Sequence, residues 1–346
     1  MESRKFLTDL SLDGARRLAV DSGFKPFHGK ILHQWIFRRG ATTLDAMTDL
    51  PRTFRDRLEQ EYGLHRLSRE SVQKSSDGTR KFLFRLPDGH CIETVSIPEG
   101  ERLTLCLSTQ VGCAIGCTFC ASGLNGLERN LTAGEIVEQI LLTVGDRRKG
   151  LTNLVFMGIG EPLMNLAQLR DAIRIINDPD GLGVGARRIT VSTVGLPQGI
   201  RKLAELGLQI NLAISLHAAD EAKRQRLIPA AKNFPLSEIL EAADHYRHRT
   251  TRDVTFEVLL LRGVNDGKED ADKLAALLKG RKCLVNLIPY NACPDIAYEA
   301  PDPENVARFR SALEQARIPT TVRRARGTDI KAACGQLRLD RLGDDR

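Results

Sequence analysis

From Leu103 to Ala316 the chain repeats one unit, an apolar stretch of strand length followed by a segment of helical periodicity. Such alternation restricts it to a parallel β/α architecture, because parallel strands need long crossovers and helices both supply them and bury the sheet faces. The pattern predicts strands at about 103–108, 153–157, 188–193, 209–216, 254–260 and 283–288. Helices are expected between and after them, at about 132–146, 166–177, 198–206, 237–248, 269–279 and 302–316. Six units are two short of a closed (β/α)8 barrel. The expected fold is therefore α/β, a partial (β/α)6 TIM-like barrel.

Two further regions precede the barrel. Residues 1–66 read as a small helical domain: Leu10, Leu12, Ala15, Leu18 and Ala19 recur at helical spacing, and Phe24-Lys25-Pro26-Phe27 makes a break. Ile31, Leu32, Trp35 and Ile36 then share one face of a second helix, with Trp35 read as core, and a third helix runs from about Phe54 to Tyr62. Residues 67–100 change to strand pattern, with Ser76-Asp77-Gly78 and Pro87-Asp88-Gly89 as turns in an antiparallel connector. Within its second strand Glu93 shares a face with Val95 and Ile97. A carboxyl group among apolar neighbours can act as a base through a raised pKa, while a salt-bridged strand glutamate is the commoner outcome. The barrel is assigned to 101–325, leaving a tail at 326–346.

In β/α barrels chemistry collects where strands end. Past the first strand lies Cys113-Ala-Ile-Gly-Cys117-Thr-Phe-Cys120, and past the second Gly158-Ile159-Gly160-Glu161-Pro162. Ser192-Thr193, Ser215-Leu216-His217 and Tyr290-Asn291 follow the third, fourth and sixth. Thiols at i, i+4 and i+7 fall on one side of the segment, and three soft sulfur ligands favour zinc or iron-sulfur. Structural zinc wants a fourth ligand, whereas a four-iron cluster on three cysteines leaves one iron open to a substrate. The competing explanation is a buried helix face carrying cysteines as small apolar residues. Gly112, Gly116 and Gly123 let the backbone bend close around an inorganic core. The Gly158–Pro162 loop can lie against an adenosine-bearing ligand while Glu161 accepts from an ammonium group. Taken singly, His217 reads as a satisfied structural histidine and Ser192 as a helix cap.

The net charge of +7 suits a polyanionic partner, with Arg317, Arg323, Arg324 and Arg326 clustered near the end, though a solvated basic face explains it equally well. Lys30, Arg38 and Arg39 on the N-terminal helices carry the same two readings. No apolar run is long enough to cross a bilayer, and the opening residues contain no apolar signal core. With the triplet read as a metal site, the eight cysteines point to a reducing, cytoplasmic setting. Cys91, Cys283 and Cys293 are assigned to packing.

The triplet, with Phe119 before its last cysteine, resembles the radical S-adenosylmethionine superfamily, and Gly158–Pro162 looks like its glycine-glutamate-proline motif. Ile92-Glu93-Thr94, Cys106–Gly112, Arg129-Asn130-Leu131, Val285–Asn291, Arg326–Ile330 and Ala332–Leu337 resemble the RlmN/Cfr family of RNA adenine methyltransferases. The likeness runs from Lys25-Pro26-Phe27 to Leu337. It departs mildly at Val194-Gly195-Leu196 and at Tyr290 and Ala292 beside Asn291.

By this resemblance Cys113, Cys117 and Cys120 would hold one 4Fe-4S cluster, and two S-adenosylmethionine molecules would be used per turnover. Gly160, Glu161, Ser192, Ser215, Leu216, His217 and Asn291 match the family's positions for binding that cofactor. Cys334 would carry the methyl group as S-methylcysteine, Cys106 would release the RNA through a transient disulfide, and Glu93 would accept the proton. The implied substrate is an adenine ring carbon in 23S rRNA, with tRNA as a further substrate; carbon 2 is expected, and carbon 8 is the alternative. A flavodoxin or ferredoxin would supply electrons to a monomeric enzyme. Chemistry agrees with such a set of parts. An adenine ring carbon is electrophilic and has no acidic proton, so direct attack on a sulfonium methyl is closed to it and a radical route is needed. Two other readings compete: an activase-type radical enzyme, which leaves Cys106 and Cys334 without work, and a non-catalytic metal-containing module that binds RNA.

Overall fold

The computed structural model describes residues 5–145, 150–293 and 296–337, so part of the expected tail, 338–346, lies outside the described residues, as do 1–4. Strand β1 (Lys5–Phe6) opens the chain, and Ser11 caps helix α1 (Leu12–Asp21) by accepting the Gly14 N–H at 3.1 Å. Helix α2 (Pro26–His33) starts on a proline, where the missing N–H costs nothing, and runs into a π-helical turn at Gln34–Arg39. Helix α3 (Arg52–Glu61) and strand β2 (Tyr62–Gly63) complete the region, with β2 pairing parallel to β1. Leu18, Leu32, Ile36, Phe37, Phe54 and Leu58 form its core. Trp35 sits at the core's edge, partly buried, with the Arg39 guanidinium 4.2 Å over its ring. Lys30 pairs with Asp180 at 2.9 Å and Arg39 with Asp49 at 2.8 Å.

Strands β3 (Ser68–Lys74), β4 (Arg80–Arg85) and β5 (Cys91–Glu99) form an antiparallel meander whose turns place Gly78 and Gly89 at positive φ. β5 then pairs with β6 (Arg102–Cys106), so the meander continues the barrel sheet. A hairpin of β7 (Gln110–Gly112) and β8 (Leu127–Asn130) follows, and then helix α4 (Ala133–Val144), opened by a Thr132/Glu135 capping box. The β/α units proceed through β9 (Asn153–Phe156), α5 (Leu166–Asn177), β10 (Ile189–Thr193), α6 (Pro197–Ala204) and β11 (Asn211–Ser215). They end with α7 (Glu221–Leu227), α8 (Leu236–Thr250), β12 (Val254–Leu260), α9 (Lys268–Leu278), β13 (Cys283–Pro289), α10 (Pro303–Gln315) and β14 (Thr320–Val322).

One sheet of ten strands results, in the order β14-β13-β12-β11-β10-β9-β6-β5-β4-β3, and β6 to β14 within it are mutually parallel. Periodicity finds six of those parallel strands within a few residues of where they lie. It misses β14, which is three residues long, the first buried and the next two exposed, too short for an apolar run to mark it. The β7/β8 hairpin and α7 are likewise additions to the expected pattern.

A buried carboxylate couples the helical region to the barrel. Glu138 on α4 accepts from the Arg66 and Leu67 N–H groups at 2.8 and 2.9 Å, from Arg66 Nε at 3.1 Å and from the Thr8 hydroxyl at 2.5 Å. Breaking such a set strands a charge in the interior, which is far more costly than losing a surface pair. Next to it on α4, Gln139 accepts from the Ser108 N–H and the Thr94 hydroxyl and donates to the Ser108 carbonyl, which fixes where β6 ends. No described helix is long and apolar enough to cross a membrane.

Candidate active site

The cysteine loop leaves the β7/β8 hairpin at Gly112, whose φ is +74° and where a Cβ would stand 2.0 Å from the Gly126 carbonyl oxygen; only glycine fits. The Cys113 N–H donates to that same oxygen at 2.8 Å, and the Cys120 N–H donates to the Cys117 carbonyl at 3.1 Å. All three cysteines are free thiols lining one cavity of about 170 Å³. Burial pushes their pKa values up, that of Cys113 to about 12. Among the described residues no three His, Cys, Asp or Glu side chains close on a single metal ion. Zinc would draw its sulfurs to roughly 2.3 Å from one point. Three thiols on one cavity wall match the donor set of a four-iron cluster, whose positive irons would offset the desolvation of three thiolates.

The same cavity is lined by Gly160, Glu161, Ser192, Ser215 and His217. Gly160 has φ +107°, and a Cβ there would meet the Gln110 side chain at 2.6 Å, so the loop takes its shape only as glycine. Glu161 spends Oε1 on the Leu163 N–H at 3.0 Å and Oε2 on the Val194 N–H at 2.8 Å, each oxygen keeping further lone-pair capacity. Burial outweighs these bonds and lifts its pKa to about 7. His217 lies in the left-handed region at φ 61°, held there because its own N–H and that of Leu216 both donate to the Glu257 carbonyl. Its Nδ1 accepts the Leu259 N–H at 3.0 Å, while burial, helped by Arg224, lowers its pKa to about 3. The ring is therefore neutral with its proton on Nε2, a donor at the cavity wall. Leu216 does not line this cavity; its side chain is in the core, its N–H donates to the Glu257 carbonyl and its carbonyl accepts from Arg224 Nε.

A larger cavity of about 430 Å³ adjoins the first, lined by Cys106, Asn291, Arg323, Arg324 and Arg326. Cys120, Met157, Gly158, Arg323 and Cys334 line both, so Cys334 stands in the shared wall. Its segment is held on three sides. The Gly327 N–H donates to Asp77 at 3.0 Å, the Ala121 N–H to the Gly335 carbonyl at 2.8 Å, and Gln336 Nε2 to the Ala292 carbonyl at 2.9 Å. Burial lifts the Cys106 thiol to about 12, with Cys334 adding to the rise and Arg323 opposing it. Glu93 lines neither of these two cavities. Its carboxylate pairs with Lys81 at 2.9 Å, and Lys81 also reaches the Lys331 carbonyl at 3.4 Å, so Lys81 links Glu93 to the segment that carries Cys334. Ser108 ties it to the glycine loop, donating to the Glu93 carbonyl at 2.6 Å and accepting the Ile159 N–H at 3.0 Å.

One residue at the site escapes the sequence reading, and another has only a coarse reading there. Glu257 stands in the middle of β12, its carboxylate accepting from Asn286 Nδ2 at 2.8 Å, its pKa raised by burial and held back by Arg323. A charged residue inside an apolar strand was the available signal. Arg323, read from the sequence only as one of a basic cluster, is the residue just past β14 and lines both cavities.

The raised pKa of Glu161 has a measurable sign. The folded protein holds this proton up to about pH 7 and the unfolded chain releases it near 4.5, so stability falls as pH rises through that window. Relative to Glu161→Gln, iron-free wild-type protein should lose about 3 kcal/mol between the two pH values. Urea denaturation at both ends measures it; parallel pH profiles would refute the shift.

Comparison with known proteins identifies the family. Residues 107–276 match the model of the radical SAM superfamily, and residues 6–63 that of the ribosomal RNA large subunit methyltransferase N-terminal domain. The probable dual-specificity RNA methyltransferase RlmN of Rhodopirellula baltica is 44% identical over 98% of this chain and 92% of its own. The dual-specificity RNA methyltransferase RlmN of an Anaeromyxobacter species is 46% identical, over 97% and 91%. The crystal structure of a radical SAM methyltransferase from Sphaerobacter thermophilus superposes with a TM-score of 0.93 at 43% identity, covering 96% of this chain and 99% of that one. With relatives this similar along nearly its whole length, the chain belongs to the RlmN family of radical SAM RNA methyltransferases.

Proposed function

We propose that this enzyme methylates carbon 2 of an adenine in 23S rRNA, and in tRNA, through a methyl group carried on Cys334. The observation that carries the reading is the place of Cys334 in the wall between two cavities. One cavity holds the thiol triplet, Glu161 and His217, a donor set suited to a cluster and to the amino-acid and adenosine parts of S-adenosylmethionine. The other holds Cys106 and three arginines, a setting suited to a polyanionic substrate.

When bound at Cys113, Cys117 and Cys120, the cluster would supply one electron, taken from a flavodoxin or ferredoxin, for reductive cleavage of S-adenosylmethionine. Cys334, as thiolate, first takes the methyl group of one S-adenosylmethionine, releasing S-adenosylhomocysteine. Its S-methyl then gives a hydrogen atom to the adenosyl fragment of a second, cleaved S-adenosylmethionine, the resulting carbon radical adds to the adenine ring, and the adduct's odd electron would return to the oxidised cluster. Glu93 accepts the ring proton once the Cys334 segment shifts, exchanging its Lys81 pairing for substrate contact. Cys106, as thiolate, then attacks Cys334 Sγ: a sulfur–sulfur bond forms, the sulfur–carbon bond breaks, and its electron pair stays with carbon, which takes up a proton to become the methyl. Both cysteines are free thiols here, the state that starts a turnover.

Reconstituted holoenzyme incubated anaerobically with methyl-labelled S-adenosylmethionine and a 23S rRNA fragment tests the reading. Label should be found on the Cys334 peptide and on carbon 2 of one adenine. An unlabelled Cys334 in enzyme that methylates RNA would refute the carrier, and label at carbon 8 would refute the position.

A further inference from the structure

Helix α7 carries a guanidinium that none of these steps uses. Arg224 is 0% exposed, and its fork donates to three backbone carbonyls: Nη2 to Val194 at 2.6 Å, Nη1 to Phe234 at 3.2 Å and Nε to Leu216 at 3.3 Å. Among the described residues no carboxylate forms an ion pair with it. Glu221, on the same helix, acts on it through space and spends Oε1 on the Leu236 N–H at 2.5 Å. Carbonyl dipoles solvate a cation but do not neutralise it, and an uncompensated buried charge is costly to keep.

The end of the same helix closes on the cysteine loop. Thr118, between Cys117 and Cys120, donates its N–H to the Leu227 carbonyl at 3.0 Å and its hydroxyl to the same oxygen at 3.3 Å. Leu227 and Ile228 pack with Ile115 and Phe119 in one apolar group, against which all three cysteines lie. Val194, whose carbonyl takes Arg224 Nη2, lines the same cavity as the three cysteines, which sets the guanidinium directly behind that wall.

We propose that Arg224 is the fixed counter-charge of the cluster held by Cys113, Cys117 and Cys120, and that its buried positive charge raises the cluster's reduction potential. This rests on the cluster reading given under Proposed function. A four-iron core of charge 2+ with three thiolates carries one net negative charge, and uptake of one electron from an external donor makes it two, with no bond formed or broken in the protein. A nearby cation in low dielectric favours the more negative state. Arg224 thereby does two things at once: its hydrogen bonds set the ends of β10 and β11, and its charge eases reduction of the cluster. It is a positioning residue and touches no reacting atom.

The test is a redox titration, followed by electron paramagnetic resonance, of reconstituted full-length wild type, Arg224→Lys, Arg224→Gln and Arg224→Met. Lysine keeps the charge and loses the fork; the other two lose both. The neutral variants should show at least a tenfold smaller equilibrium constant for reduction, 59 mV for one electron. Arg224→Lys should stay within threefold of wild type while being less heat-stable. Neutral variants that fail to retain iron while the lysine variant retains it would equally support a charge requirement. Four irons per chain with wild-type potential in a neutral variant would overturn the proposal. So would a lysine variant that falls together with the neutral ones, since the fork alone would then matter. Wild-type protein that binds no iron would bring down the cluster reading itself, a failure distinguishable from unmoved potentials in iron-loaded variants.

Discussion

Cys334→Ala should bring RNA methylation below detection, a loss of at least about 10³-fold of the kind expected when a covalent nucleophile is removed. The expectation follows from position. Outside the cluster triplet, Cys334 is the one cysteine lining both cavities, so a methyl group on its sulfur can face either side of the wall. Replacement by alanine should leave the fold intact, because the half-buried thiol is not what holds the segment. Asp77, Ala121 and Gln336 anchor it through the Gly327 N–H, the Gly335 carbonyl and the Ala292 carbonyl. Ser122 adds a fourth tie by donating to the Leu337 carbonyl at 2.7 Å. The variant should therefore bind iron and S-adenosylmethionine as wild type does, which iron analysis and equilibrium binding will show. Methylation within tenfold of wild type would exclude Cys334 as carrier.

Cys106→Ala should fail at a later point and leave a different trace. The alanine variant can load Cys334 and join it to the adenine, but nothing then displaces the sulfur, so protein and RNA should stay covalently linked. Turnover should fall by about 10³-fold, and a species of protein plus RNA should survive heating in detergent. The double variant Cys106→Ala, Cys334→Ala should lack that species. Cys106 is fit for the role because it ends β6 facing the same cavity as Cys334, and because Arg323 favours its thiolate against the strong opposing effect of burial. Free RNA released at wild-type rate from Cys106→Ala would assign resolution to another group.

Arg224 gives these two predictions a common background. If its charge sets the cluster potential, neutral variants should slow every radical step while leaving the thiol chemistry of Cys334 and Cys106 unchanged. Such a split separates an electrostatic defect from loss of a reacting group.

Much of the site was legible because its signals are local. Cys113, Cys117 and Cys120 lie within eight residues, so their spacing alone turns three thiols toward one side, and the glycine loop at Gly158–Pro162 is equally self-contained. Strand and helix positions were legible for the same reason, since burial on both sheet faces writes an apolar run into each strand and one-sided burial writes a stripe into each helix. β14 escaped because three residues, the first buried and the next two exposed, carry no such run. The face of Glu93 was readable from strand alternation, but its pairing with Lys81 was not, because that depends on the register of β4 against β5.

By itself, then, the sequence determined the β/α repeat and the local spacing of the thiol triplet and the glycine-glutamate loop, while family resemblance nominated the reacting residues proposed above. Only the tertiary structure set Cys334 in the wall between two cavities with Cys106 and Arg323 beside it, linked Glu93 to that segment through Lys81, and buried Arg224 behind the cysteine loop. The physical reason is that spacing along a chain encodes direction only over a few turns or residues. Contacts between distant segments are fixed by sheet register, helix packing and the need to satisfy each buried polar group.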